Sequence, residues 1–328
     1  MGKTNGSRAE VAARGMVATS QPLAVEIGVD VLRAGGSAVD AAIAANIALS
    51  LVEPMSCGPG GDLFALVAPA CGDRLFGLNG SGRAPRGLTI DLFHERGLDR
   101  IPLRGALSWT VPGCVEAWSA LHARFGSLPW RDLFSPTIDA ARRGFSVTPV
   151  IAAAWATDAP LLAEDRGSAA TFLADGRAPR AGGTFRNPDL ALLLSAIADD
   201  GPDGFYRGGP AAEIAACARS LGSPLARSDF EGHASSWVEP VSFSFRGVEV
   251  WELPPNTQGV VALEMLNILT QFDLDALEET SRRVWAFGYN RAALISFQDR
   301  DHGDGSGAPI RPQIERALAE AGLAADGV

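Results

Sequence analysis

The stretch EPMSCGPGG, residues 53–61, followed at once by the short apolar run DLFALVA, constrains this chain more than any other part of it. Pro54 ends any helix that reaches it, because proline has no N–H to give to the helical ladder. Glycines at 58, 60 and 61 then free the backbone for a tight turn or a close approach. The chain must pass from helix to strand within a few residues. Two roles stay open for the glycines: a turn made for steric reasons, or direct contact between the backbone and a substrate.

Upstream of the loop, Val25, Val29 and Leu32 fall at helical spacing over Pro22–Arg33, and Gly35-Gly36 supplies a left-handed stop. Ser37 followed three residues later by Asp40 is a capping-box pattern. From there Val39, Ile43, Ile47 and Leu51 carry a second stripe as far as Pro54, so an alanine-rich α-hairpin is expected. The Glu53 carboxylate is placed to cap an amide of the glycine loop. Downstream, LFALVA and RLFGLN read as two short strands that pair across the turn-like ACGD.

Pro112 should open the helix VEAWSALHARFG, with Val115, Trp118, Leu121 or His122, and Phe125 on one side and Gly126 as the stop. Asn187-Pro188 opens DLALLLSAIADDG, and GGPAAEIAACARSLG adds a helix closed by Gly222. Val241, Phe243 and Phe245 alternate, Arg246-Gly247 turns, and Val248 and Val250 alternate again, which is a hairpin. Pro254-Pro255 ends it, Gly259 frees the backbone, and VVALEMLNIL starts another apolar helix. A long helical stretch over 281–298 precedes GDGSGAP, of linker composition, and a short amphipathic tail through Ile314 and Leu318.

Charge excludes some functions. The 38 acids outnumber the 28 bases among 328 residues, a formal charge of -10, which disfavours nucleic acid and anionic membranes as partners. The polar N-terminus lacks the apolar core of a signal peptide and no run approaches a membrane span, so a cytoplasmic, unanchored protein is expected. Cys57, Cys71, Cys114 and Cys217 have no C-x-x-C spacing, and we expect free thiols. Other motifs fail. GPGGDL has Leu63 where a dinucleotide fingerprint needs its third glycine, and it precedes a strand. With a single lysine, Lys3, the chain has no Walker loop. Gly80-Ser81-Gly82 lacks the flanking glycines of a nucleophile elbow. His94, His122, His233 and His302 are never four apart, and DRDHGDGSG has Ile310 where an EF-hand needs its last Glu. Neither a metal nor an organic cofactor is implied.

Several blocks, in order, resemble the large subunit of the γ-glutamyltranspeptidase family, a branch of the N-terminal nucleophile hydrolases. The segment GMVATSQPLAVEIGVDVLRAGGSAVDAAIAANIALSLVEPMSCGPGGDLFALV is similar to the family's opening helix pair, glycine loop and strand. LNGSGRAP, SWTVPGCVEAW, GFYRGGPAAEIA, LARSDFE and EPVSFSFRGVEVWELPPNTQGVVALEMLNIL follow, so the likeness runs from Gly15 to Leu269. It implies an α+β fold, the αββα sandwich of N-terminal nucleophile hydrolases, whose strands a small subunit completes. It also implies a domain over 15–301, with a flexible arm over 1–14 and, over 302–328, a linker and short tail near a processing point.

The activity implied is amide hydrolysis or acyl transfer, of a γ-glutamyl or related group, by a Thr nucleophile that uses its own free amine as base. The last threonine is Thr280, and no Thr-initiated strand pattern follows it. No catalytic residue is therefore expected in this chain, and a Thr-bearing small subunit is the implied partner. The rival is an inert large-subunit homologue that only binds or assembles.

Substrate binding falls on Ser81 and Arg83. The family carries Asp-x-Arg-Glu-x-Ala-Pro where this chain has LNGSGRAP, and alignment on Ala84-Pro85 puts Ser81 at the arginine that grips the substrate α-carboxylate. Arg83 lies two residues on, on the same face if the segment is extended, and either reaches the pocket from another angle or packs near Pro85. The form resembles acylase-type branches. Asn256-Thr257-Gln258, after the two prolines, either lines the cleft or serves its loop. Six of the seven tryptophans, Trp109, Trp118, Trp155, Trp237, Trp251 and Trp285, are expected in the core and at subunit contacts.

Overall fold

The computed structural model describes residues 11–70, 72 and 74–270. The expected 281–298 helix, the linker and tail, Cys71, His302, Thr280 and Trp285 lie outside them. The chain opens with α1 (Pro22–Arg33) and α2 (Ala38–Val52), then β1 (Leu63–Val67), β2 (Phe76–Gly80), α3 (Ile90–Glu95) and α4 (Cys114–Phe125). Next come α5 (Trp130–Arg143), β3 (Phe145–Ser146), α6 (Pro149–Leu162), α7 (Arg166–Phe172), β4 (Thr184–Phe185) and α8 (Pro188–Asp200). It continues with α9 (Asp203–Tyr206), α10 (Gly209–Ser220), α11 (Arg227–Glu231), β5 (Ser236–Val238), β6 (Val241–Phe245), β7 (Val248–Glu252) and α12 (Gly259–Leu269). The described residues form two compact units: those up to Leu63 with Gly80–Ser235, and Phe64–Asn79 with those from Ser236.

The helical unit is built on the α-hairpin. Its helices span the expected residues, but α1 buries Ala24, Ile27, Gly28 and Val31, one step round from the Val25, Val29 and Leu32 stripe. Close approach explains the shift. A Cβ on Gly28 would lie 3.3 Å from the Ala41 carbonyl of α2 and 2.9 Å from Val17, so the smallest face is the one that can dock. The capping box forms, with the Asp40 amide donating to Ser37 Oγ at 3.0 Å and the Ser37 amide to Asp40 Oδ2 at 2.8 Å. The same buried carboxylate oxygen accepts from the Ser127 and Leu128 amides at 2.9 and 3.3 Å, which ties the start of α2 to the α4–α5 connection.

Around α2 the core closes through α4, α5 and α8. Trp118 is fully buried, its indole N–H donates to Asn46 Oδ1 at 2.8 Å, and its ring meets Phe134 edge-on at 6.0 Å. Side chains of this size each contribute about 2 to 3 kcal/mol when taken out of water. Helix α8 begins as its sequence requires, with Asn187 Oδ1 accepting from the Leu190 amide at 2.9 Å and Pro188 following. Helix α4 departs from expectation by starting at Cys114 with Gly113 as the cap residue, two residues after Pro112. The Pro112 carbonyl is instead taken by the Tyr206 hydroxyl, at 2.7 Å. A satellite cluster forms where Trp155 of α6 meets Phe172 and Phe185 edge-on, beside the short β3–β4 pair.

The second unit holds the strands. Strands β1 and β2 pair as expected, and β5, too short to stand out in the sequence, joins on the far side of β2 with Leu78 opposite Trp237. The β6–β7 hairpin forms with Phe243 opposite Val250 and Phe245 opposite Val248. Arg246 and Gly247 both take positive φ, 52° and 82°, the mirror-image turn that matches the twist of a hairpin. Helix α12 packs on this hairpin, and Gly259 makes that possible, since a Cβ there would lie 2.7 Å from Glu252 Cβ. No described helix is long and apolar enough to cross a membrane.

Candidate active site

The glycine loop docks on its own chain. The Gly61 carbonyl accepts from both the Gly113 and the Cys114 amides, each at 2.9 Å, so the first orphan donors of α4 are satisfied by the loop. The Glu53 carboxylate does not cap the loop. It accepts from Ser20 Oγ and Gln21 Nε2, while the Ser56 and Cys57 amides go to the Glu53 backbone carbonyl, each at 3.1 Å. Gly58 and Gly60 have nothing within 4 Å of an added Cβ, and neither has positive φ. Within the described chain, sterics do not explain why those two positions are glycine.

Segment 80–83 crosses the residues that lead into α4 at near-contact distance. A Cβ on Gly82 would sit 1.8 Å from the Val111 carbonyl oxygen, and one on Gly113 would sit 2.0 Å from that of Gly80. Hydrogen bonds fix the register: the Gly82 amide donates to Asp62 Oδ1 at 2.8 Å and the Val111 amide to the Arg83 carbonyl at 3.0 Å. Ser81 is half-buried and Arg83 exposed on this clamped segment.

Four further side chains, which the sequence reading missed, surround it. The Glu116 carboxylate accepts from the Ser235 amide at 2.6 Å, and the Glu116 amide donates to the Tyr206 hydroxyl at 3.1 Å. The Tyr206 ring stacks on His233 with centroids 5.5 Å apart. His233 has both ring nitrogens buried and unpartnered, and burial holds it below the ordinary histidine range; Glu116 opposes that shift, the Arg83 charge adds to it, and Asp62 opposes it. Burial likewise pushes the Tyr206 hydroxyl and the Cys114 thiol well up, and Cys57 is raised by burial and by Glu53. These thiols stay protonated and are poor nucleophiles. Only Asp62, beside the glycines, carried any local signal; Glu116, Tyr206 and His233 come from three separate helices and loops.

In the second unit, Asn79 Nδ2 donates to Asn256 Oδ1 at 2.8 Å, at the end of β2. Thr257 Oγ1 donates to the Leu253 carbonyl at 2.9 Å and accepts from the Gly259 amide at 3.3 Å, so it serves the turn into α12. The tryptophans divide: Trp118 and Trp155 are core, whereas Trp237 and Trp251 are exposed. Cys57, Cys114 and Cys217 are free thiols. Among the described residues no group of three His, Cys, Asp or Glu side chains is placed to hold a metal ion.

This mixed helix-and-sheet arrangement superposes on solved gamma-glutamyltranspeptidase and acylase structures, which places the chain in the fold of the N-terminal nucleophile hydrolases. The chain belongs to the gamma-glutamyltranspeptidase family, whose profile matches residues 24–324. It is 35% identical over 296 residues to the glutathione hydrolase-like YwrD proenzyme of Bacillus subtilis, covering 90% of this chain and 56% of that protein. It is 33% identical over 318 residues to the acylase ACY 1 proenzyme of Pseudomonas sp. strain V22, covering 94% of this chain and 57% of that protein. The chain thus spans little more than half the length of these curated relatives. Among solved structures, Helicobacter pylori gamma-glutamyltranspeptidase superposes with a TM-score of 0.82 at 26% identity, covering 96% of this chain and 91% of that one. Cephalosporin acylase from Bacillus halodurans gives 0.78 at 38% identity, covering 91% and 57%.

Proposed function

We propose that this chain is the large-subunit portion of an amidohydrolase or acyltransferase that works through a Thr nucleophile on a small-subunit partner. The observation that carries the reading is the match of nearly the whole chain to just over half of relatives named as proenzymes. The exposed apolar side chains of the strand unit support it: Phe64 and Leu66 alternate on β1 at 40% and 41% exposure, with Trp237 at 38% and Trp251 at 42%. Strand β1 is an edge of its sheet among the described residues, and an apolar edge strand invites further pairing.

In the assembled enzyme, the partner's Thr hydroxyl attacks an amide carbonyl while its own amine takes the hydroxyl proton. That proton passes to the leaving nitrogen as the C–N bond breaks and the amine departs, and water or an acceptor amine then takes the acyl group and returns a proton to the Thr oxygen. This chain holds the acyl end. Arg83 supplies the cation for that end, and Ser81 offers a hydroxyl where the family resemblance expects arginine. Loss of a charged hydrogen bond at that position lowers affinity for a γ-glutamyl carboxylate by roughly 1.5 to 3 kcal/mol. The preferred substrates are therefore acyl amides of the kind acylases take, and γ-glutamyl-p-nitroanilide is turned over poorly.

Co-expression with a Thr-initiated small subunit, followed by mass spectrometry of the acyl-enzyme formed from a panel of amides, tests both parts. The expected result is an adduct on the partner's Thr, with Arg83→Gln raising KM for acyl groups that bear a carboxylate. Efficient amide cleavage by this chain alone sinks the two-subunit reading. Robust turnover of γ-glutamyl-p-nitroanilide, indifferent to Ser81→Ala, sinks the specificity.

A further inference from the structure

A cavity of about 330 Å³ opens beside α6, between Met55 just before the glycine loop, Arg104 on the connection from α3 to α4, and Phe172 of α7. Its floor is Trp155, 1% exposed, with Met55, Leu162 and Phe172 packed around the same cluster. Two opposite charges line it, Arg104 and Asp158. Neither has a hydrogen-bond or ion-pair partner among the described residues. Elsewhere in the helical unit Arg33 pairs with Asp30, Arg100 with Asp99, Arg131 with Asp199, Arg143 with Asp139, Arg207 with Asp203 and Arg227 with Glu231.

We propose that this cavity binds a small apolar zwitterion, an α-amino acid with an aromatic or long aliphatic side chain. Size argues for one amino acid and not a peptide, since small-molecule pockets run from about 300 to 1,000 Å³ and this one lies at the lower end. The aromatic and thioether floor takes the apolar side chain, where rings and sulfur make favourable contacts. The Arg104 guanidinium suits a carboxylate, and the Asp158 carboxylate suits an ammonium. A ligand with only one charge leaves the other side chain facing a like charge or an apolar group. Only a ligand with both charges matches both, and the charges neutralise each other in the bound state.

The test is calorimetric titration of the full 328-residue chain with L-phenylalanine, with 3-phenylpropanoate, which lacks the ammonium, and with 2-phenylethylamine, which lacks the carboxylate. L-Phenylalanine should bind tightest. Arg104→Gln should weaken it about tenfold and leave 2-phenylethylamine unchanged; Asp158→Asn should weaken L-phenylalanine and 2-phenylethylamine alike, by about tenfold, and spare 3-phenylpropanoate. Both side chains sit at the cavity wall and not in the core, so circular dichroism of each variant should match the parent. The proposal fails if L-phenylalanine shows no saturable binding. It also fails if 3-phenylpropanoate binds the parent as tightly, or if the two substitutions leave L-phenylalanine unaffected.

Discussion

Glycine has two distinct uses in this chain, and substitution separates them. Gly82 lies so near the Val111 carbonyl that no side chain fits without moving backbone, and both segments of that crossing are hydrogen-bonded in place. Gly82→Ala should therefore cost about 3 kcal/mol, read as a drop in the urea midpoint. Gly60→Ala should stay within about 0.5 kcal/mol of the parent, because its Cβ meets open space at an ordinary φ. If Gly60→Ala keeps stability and partner binding yet loses activity, the open glycines serve the substrate side of the loop. His233 gives a pH signature. Its folded-state pKa is depressed, by burial first, while Glu116 and Asp62 pull upward and Arg83 downward. The unfolded chain then takes the proton first as pH falls, so the contribution is intact above about 6.5 and is lost as pH drops through that value towards the folded pKa. His233→Phe keeps a ring on Tyr206 and removes two orphan nitrogens. Its stability advantage over the parent should widen between about pH 7.5 and 5, and parallel urea curves across that range would count against the assignment.

At the scale of elements, Asp40 does more than its motif announces. As a capping-box residue it serves α2 alone, but its buried Oδ2 also takes two amides from the α4–α5 connection. Asp40→Ala should cost about 3 kcal/mol, whereas Ser37→Ala, which loses only a cap, should cost about 1 kcal/mol; equal losses in chemical denaturation would leave Asp40 a cap and nothing more. The same contrast marks what the sequence made legible. Caps, stops and hairpin turns are local, so Ser37, Asn187 and Arg246-Gly247 all read correctly. Helices α5 and α6 hide behind Pro136 and Pro160, breakers that the folded helices contain. The buried face of α1 depends on how close α2 can come, which no spacing along α1 records. Around the site, the glycines and the 80–83 segment were visible as motifs. The Gly82–Val111 crossing and the Glu116, Tyr206 and His233 ring around it join residues far apart in the chain, and a pattern read along one strand or helix cannot contain them.

For the whole molecule, the division of labour between its two units is the physical basis of the proposed partnership. The helical unit has a complete core, with α2 buried almost all round by α1, α4 and α5. The strand unit is different: β1 turns Phe64 and Leu66 outward on one face, and Trp251 lies on the exposed side of the β6–β7 hairpin. Side chains this apolar are stable at a surface only when the surface is small or covered, and a strand edge adds unpaired amides and carbonyls to the demand. A Thr-bearing subunit that adds strands to β1 meets both needs at once. Leu66→Asp isolates that role, because a side chain already 41% exposed contributes little to the core of its own chain. The variant alone should unfold within about 0.5 kcal/mol of the parent. Co-expressed with a tagged small subunit, it should be recovered at a tenth or less of the parent yield on affinity purification, with acyl-enzyme formation falling in proportion, since burying an unpaired carboxylate costs several kcal/mol. Full recovery of an active complex from Leu66→Asp would mean that β1 is not where the partner docks.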